Sequence, residues 1–277
     1  MSSESIWDKL QMIDRRIFYW ILFVALMIPF IRPIGLPIAI TPTTRGLYDE
    51  LAMVQSGDVC LLSISSGVSA WAECLPAMVA SVKMLVRQEA KIICWGMGHT
   101  DVDLTWNKIV SQVPDLAEKY TYGEDYAYFG YLPTQESTIA LLGSNIREVF
   151  KLDKYGTPID NLPVLQGVNS AKEFRLVLTS DTGDVGDYYI RQWHTNYNTP
   201  VAEIGIAMQG SSYMPYFLSG DLFGMTVGSR GGAELEKLIG SPGDATITMD
   251  AINVSHILVV IAVVLANVGY FATRGKK

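Results

Sequence analysis

The chain has 277 residues, enough for one substantial domain with accessories. Its 21 Lys and Arg against 28 Asp and Glu leave a formal charge of -7, which argues against nucleic acid as a partner and against an anionic lipid surface on the domain face. Hydrophobic residues make up 49% of the chain and gather in two terminal runs around a mixed-polarity middle, the profile of a membrane protein.

After a short polar segment, residues 1–16, comes "IFYWILFVALMIPFI" at residues 17–31. A span needs about 20 apolar residues. Arg32, able to snorkel, and the apolar "IGLPIAI" extend this run to residue 40. No small-residue cleavage site follows, so the segment reads as an anchor and not as a removed signal peptide.

The middle domain, residues 41–250, opens with a βαβ pattern at residues 57–98. Its strands are expected at 59–64 and 92–97, both almost continuously apolar as in buried parallel sheets, with Ser65, Ser66 and Gly67 in the loop between. "DVDLTWNKIVSQVPDLAEKY" reads as helical up to Pro114, followed by the aromatic "YTYGEDYAYFGYLP" and an amphipathic helix in "ESTIALLGSNIREVF". A second βαβ pattern places strands at 175–179 and 201–207 around a helix at 187–194. "SSYMPYFLSGDLFGMTVGSRGGAELEKLIG" alternates apolar and Gly residues before a short helix from Ala233. The last run, "AINVSHILVVIAVVLANVGYFAT" at residues 251–273, has no formally charged residue and is long enough to span, with His256 and Asn267 as its polar members.

The expected fold class is therefore α/β, a largely parallel sheet with flanking helices between an N-terminal and a C-terminal transmembrane helix. Lys9, Arg15 and Arg16 flank the first run and Arg274, Lys276 and Lys277 follow the second, against Arg32, Arg45 and Lys237 on the other side. The positive-inside rule then puts residues 1–16 and 274–277 in the cytoplasm and the domain outside the cell membrane. Cys60, Cys74 and Cys94 cannot all pair and read as small core residues.

Open α/β sheets bind ligands beyond the carboxyl ends of their strands. That rule gathers Ser65, Ser66, His99, Asp101, Asp103 and Asp181 as candidate ligand-rim residues. Asp181-Thr182-Gly183 has the triplet of an aspartic peptidase, but that chemistry needs two such carboxylates, and Ser180 stands where an apolar residue is usual. Asp181, Asp184 and Asp187 lack EF-hand spacing, and Asp184 with Asp187 reads as a helix cap. "GHTDVD" offers a zinc ligand set or a base with its orienting acid, and equally a turn with Asp103 capping the next helix. "GSRGGAELEKL" lacks the Walker lysine, so its glycines read as packing residues. No metal or cofactor is expected.

Residues 176–216, a strand, a loop, a helix and a strand leading to "MQGSSYMPY", resemble the Clp-protease and signal-peptide-peptidase-A superfamily. The resemblance implies Ser211 or Ser212 as nucleophile and a lysine, here Lys237, as base. The chain departs from that pattern in "SDTGDVGD", which replaces a paired-glycine turn, and in Tyr213-Met214-Pro215 after the serine. "YGEDYAYFGY", "LDKYGTPIDNLPVLQGV" and "GSRGGAELEKL" are similar to an uncharacterised family of prokaryotic membrane proteins with one such domain before a C-terminal membrane helix. The expected function is a non-catalytic scaffold or subunit of a membrane assembly. Its partners would be the lipid bilayer and either further copies of the chain or other subunits, met through the aromatic and Met-rich segments at residues 120–131 and 213–223. The alternative is a membrane-anchored serine hydrolase.

Overall fold

The computed structural model describes residues 14–133 and 135–274, which divide into two units, Ile38–Ala245 and the joined terminal segments on either side of it. The first unit is an α/β domain. Its strands are β1 (Val59–Ser65), β2 (Lys91–Met97), β3 (Tyr126–Leu132), β4 (Leu176–Asp181), β5 (Val201–Gly205) and β6 (Gly224–Val227). They form one sheet in the order β3-β2-β1-β4-β5-β6 with every neighbouring pair parallel.

A parallel sheet whose crossovers are helices is covered on both faces, which is why β1 is apolar or small at nearly every position and buried throughout. Cys60, Leu62 and Ile64 turn toward α3 (Trp71–Arg87), α4 (Val102–Gln112) and α10 (Gly228–Leu238). Leu61 of β1, Ile93 and Trp95 of β2 and Val177 of β4 turn the other way, under α6 (Glu136–Ser144) and α8 (Val185–Tyr189). Helix α8 continues through a π-helical turn, Ile190–His194, that seats Trp193 against Trp95 and Phe174. All three cysteines are buried and free, and burial pushes the Cys74 thiol up to about 12.

Several expected elements change. The aromatic stretch is β3, whose Tyr126, Tyr128 and Leu132 pair with β2 around a bulge that contains Gly130 at φ +74. Tyr128 is buried and stacked on Trp106, and Tyr120 hydrogen-bonds Ala90 O, so part of this segment is core. Pro114 starts a new helix, α5 (Pro114–Lys119), instead of only ending the one before. The amphipathic stretch after β3 breaks at Asn145, whose side chain caps the short α7 (Ile146–Val149). The alternation of apolar and Gly residues after β5 contains α9 (Gly210–Ser219) and β6, and α10 begins at Gly228, earlier than expected.

The edge of β6 is covered by α2 (Pro42–Ala52), and glycines permit the approach. A Cβ on Gly224 would lie 2.2 Å from Leu47 N, and one on Gly46 would lie 2.4 Å from Phe223 O.

In the terminal unit, α1 (Arg15–Ile31) exposes most of its apolar side chains, and α11 (Asp244–Thr273) starts in the domain and runs on into this unit. Among the described residues, two helical stretches are long and apolar enough to cross a membrane. In residues 68–87 about two thirds of the apolar window is buried and the stretch serves as a core helix, whereas in α11 only 6% of that window is buried. The Asp250 carboxylate accepts the backbone N–H groups of Ile34, Gly35 and Leu36 at 2.7, 2.8 and 2.8 Å, tying the segment after α1 to α11.

Gly224→Ala is expected to push α2 off the β6 backbone and to destabilise the domain by about 1–3 kcal/mol, as overpacking does. A thermal melt of the purified chain checks this through a lowered midpoint.

Candidate functional site

The strands step outward from β1 through β2 to β3 and from β4 through β5 to β6, so the strand order reverses between β1 and β4. In an open α/β sheet that reversal opens the crevice where ligands bind. The loops at its mouth follow β1, β2 and β4, and they carry most of the expected rim residues.

Those loops are laced to one another. Ser66 Oγ and Ser180 Oγ are 2.7 Å apart and buried. His99 Nε2 lies 3.2 Å from Thr182 Oγ1, and Asp101 Oδ2 accepts the Val68 N–H at 2.8 Å. Gly67 has no room for a side chain, since its Cβ would meet the His99 ring at 2.7 Å. Four of the expected residues, Ser66, His99, Asp101 and Asp181, thus fall at or beside this junction, with Ser65 one residue before it.

Asp103 does not join them. Its carboxylate accepts from Tyr128 OH at 2.5 Å and from Lys154 Nζ at 2.6 Å. Burial alone would raise this carboxyl, but those two hydrogen bonds and the Lys154 charge outweigh it and hold the group below its usual range.

Asp181 ends β4 and closes the turn into α8. Its carboxylate accepts the N–H of Gly183 and of Val185, each at 2.8 Å, and that of Gly186 at 3.3 Å, with Tyr213 OH at 3.4 Å. The expected cap by Asp184 is not formed: Asp184 occupies the N-cap position without a side-chain hydrogen bond, because Asp181 already takes the first-turn amides. Asp187 instead pairs with Arg191, which also pairs with Glu136 at 2.9 Å. Burial raises the Asp181 carboxyl, and the amide bonds offset only part of that rise.

No protein family, curated protein or solved structure matches the chain. Its chemistry is therefore read from the geometry alone. Ser211 and Ser212 lie exposed in the first turn of α9, while Lys237 donates to Ile38 O at 3.0 Å. Among the described residues neither serine hydrogen-bonds a histidine or a lysine, and His194 faces Thr199 O and Asp221. Also among them, no group of three or more His, Cys, Asp or Glu side chains gathers to hold a metal ion.

One residue outside the expected set stands out. Glu203 on β5 is 1% exposed, and among the described residues neither carboxyl oxygen has a hydrogen-bond partner. Burial first, and the Asp181 charge second, push its carboxyl well above the usual range. The sequence signal is a single acid inside the apolar strand "VAEIG".

Asp181→Ala is expected to leave three amides of the α8 turn without their acceptor and to cost about 1–2 kcal/mol, the scale of a lost helix cap. Chemical denaturation followed by tryptophan fluorescence reads this out as a lower unfolding midpoint.

Proposed function

We propose that the chain is a membrane-anchored, non-catalytic subunit that assembles with further copies of itself through the apolar face of α9. The observation that carries this reading is the exposure of that face. Leu218 is 76% and Met208, just ahead of the helix, 83% exposed. Beside them is a groove of about 480 Å³ lined by Pro42, Met214, Phe217, Leu218, Met225 and Val227.

Exposed apolar surface of this kind on an acidic domain marks a contact site. A projecting Leu218 next to a receding groove supplies both a knob and a hole on one patch, which is what a two-fold, self-complementary interface requires. The anchor in this reading is α11, assisted by α1. Both termini are cytoplasmic by the excess of Lys and Arg at the outer flanks. The exposed, unassisted positions of Ser211 and Ser212 weigh against hydrolysis, since a serine nucleophile needs a neighbouring base.

A second reading, small-ligand binding at the sheet's carboxyl edge, is favoured by the strand reversal between β1 and β4. A midpoint rise with a member of a metabolite panel, lost in Ser180→Val, is its signature.

In mild detergent the full chain is expected to run as a discrete oligomer by light scattering, and Met214→Asp with Leu218→Asp is expected to reduce it to a monomer. A wild-type monomer overturns self-assembly. A fluorophosphonate probe is expected to leave the protein unlabelled, and labelling abolished by Ser212→Ala would establish the hydrolase instead.

A further inference from the structure

Parallel pairing aligns side chains across β1, β4 and β5 on the face covered by α8. Ser63, Thr179 and Glu203 share one row, and Ser65, Asp181 and Gly205 share the next. At one end the row is satisfied: Trp95 Nε1 donates to Tyr189 OH at 2.8 Å, and Tyr189 OH donates to Ser63 Oγ at 3.0 Å. Further along, Thr179 Oγ1, Ser65 Oγ and both Glu203 oxygens are buried with no partner among the described residues. Unsatisfied buried polar groups are costly, so the three oxygens of the paired residues Thr179 and Glu203 call for an occupant.

The placement of Glu203 shows where it points. A Cβ added to Gly186 would lie 2.4 Å from Glu203 Oε2 and 2.7 Å from Tyr213 OH, and one added to Gly205 would lie 3.5 Å from Glu203 Oε1. The carboxyl therefore rises toward the end of the sheet, beneath the first turn of α8. Asp181, in the row above, gives its oxygens to the amides of that turn, which offset part of its burial. Glu203 takes none of those turn amides, and the Asp181 backbone N–H offsets only part of its burial.

The free donors are all oxygen atoms, a carboxylate and hydroxyls, and oxygen-only sets suit hard cations. Asp181 has both its oxygens engaged by the α8 turn amides, which leaves Glu203 as the acid of these two rows open to a cation. We infer that a single monovalent hard cation such as Na⁺ binds between β4 and β5, with Glu203 as its charged ligand and the Thr179 hydroxyl as a neutral one. A bound cation removes the electrostatic penalty of the buried carboxylate and couples β4 and β5 beneath α8, so it stabilises the folded domain by mass action.

The test is the thermal midpoint of the full-length chain in mild detergent, in NaCl, KCl, CaCl₂ or tetramethylammonium chloride at equal ionic strength. A saturating alkali cation is expected to raise the midpoint over tetramethylammonium by several degrees. Glu203→Gln is expected to abolish that difference, and to melt at or above the wild type in tetramethylammonium because a neutral amide replaces a buried acid. Thr179→Val keeps the shape of the side chain and is expected to shrink the difference, which decides the matter if the Glu203 variant does not fold.

Equal midpoints in NaCl, KCl and tetramethylammonium would overturn the proposal. So would a wild-type midpoint that falls as pH rises toward neutral in all salts alike, with no such fall in Glu203→Gln: that result assigns the site to a proton and water. A response to CaCl₂ alone would rule out a singly charged occupant.

Discussion

Every layer of this domain answers to one constraint: six parallel strands expose two apolar faces, and neither face tolerates water. Crossover helices have to cover both, so the chain leaves each strand at the same edge of the sheet. The polar loops of β1, β2 and β4 are thereby forced together, and hydrogen bonds such as Ser66 to Ser180 and His99 to Thr182 follow from that convergence. The edge strand β6 meets the same constraint differently, with a helix laid directly on its backbone where Gly46 and Gly224 permit it.

Buried acids in this protein are mostly paired with backbone amides. Asp181 holds the α8 turn, Glu234 receives the Thr41 N–H at 2.8 Å, Glu236 receives that of Gly243 at 2.8 Å, and in the terminal unit Asp250 takes three amides in a row. A carboxylate removed from water is tolerable when several N–H dipoles replace its hydration. Glu203 breaks that pattern: it sits in the middle of a strand, and among the described residues neither of its oxygens has a well-formed hydrogen bond. The contrast gives it chemical meaning that the better-connected acids lack.

How far the elements could be read depended on how each is buried. Strands β1, β2, β4 and β5 are apolar over consecutive residues, and that pattern announces a buried parallel sheet before any fold is known. β3 and β6 escaped because Tyr and Gly fill them: "YAYFGYL" draws its burial from Trp106 and from a bulge, and "GMTV" is four residues long. Among the rim residues, Ser66, His99, Asp101 and Asp181 could be grouped from strand ends alone. Asp103 could not be separated from them, because its partner Lys154 lies 51 positions away in the chain.

Composition and periodicity suffice for the α/β class, for the two apolar terminal runs and for the position of the polar loops, since these are local properties of strands, helices and turns. The aspartate run after β4 was legible as a helix start for the same reason. Which aspartate does the capping was not: Asp181 wins over Asp184 because the end of β4 aims its carboxylate at the α8 amides, a direction set by the sheet. Likewise the isolation of Glu203 and the exposure of Leu218 depend on what packs beside them, and neighbours distant in sequence are chosen by the fold as a whole.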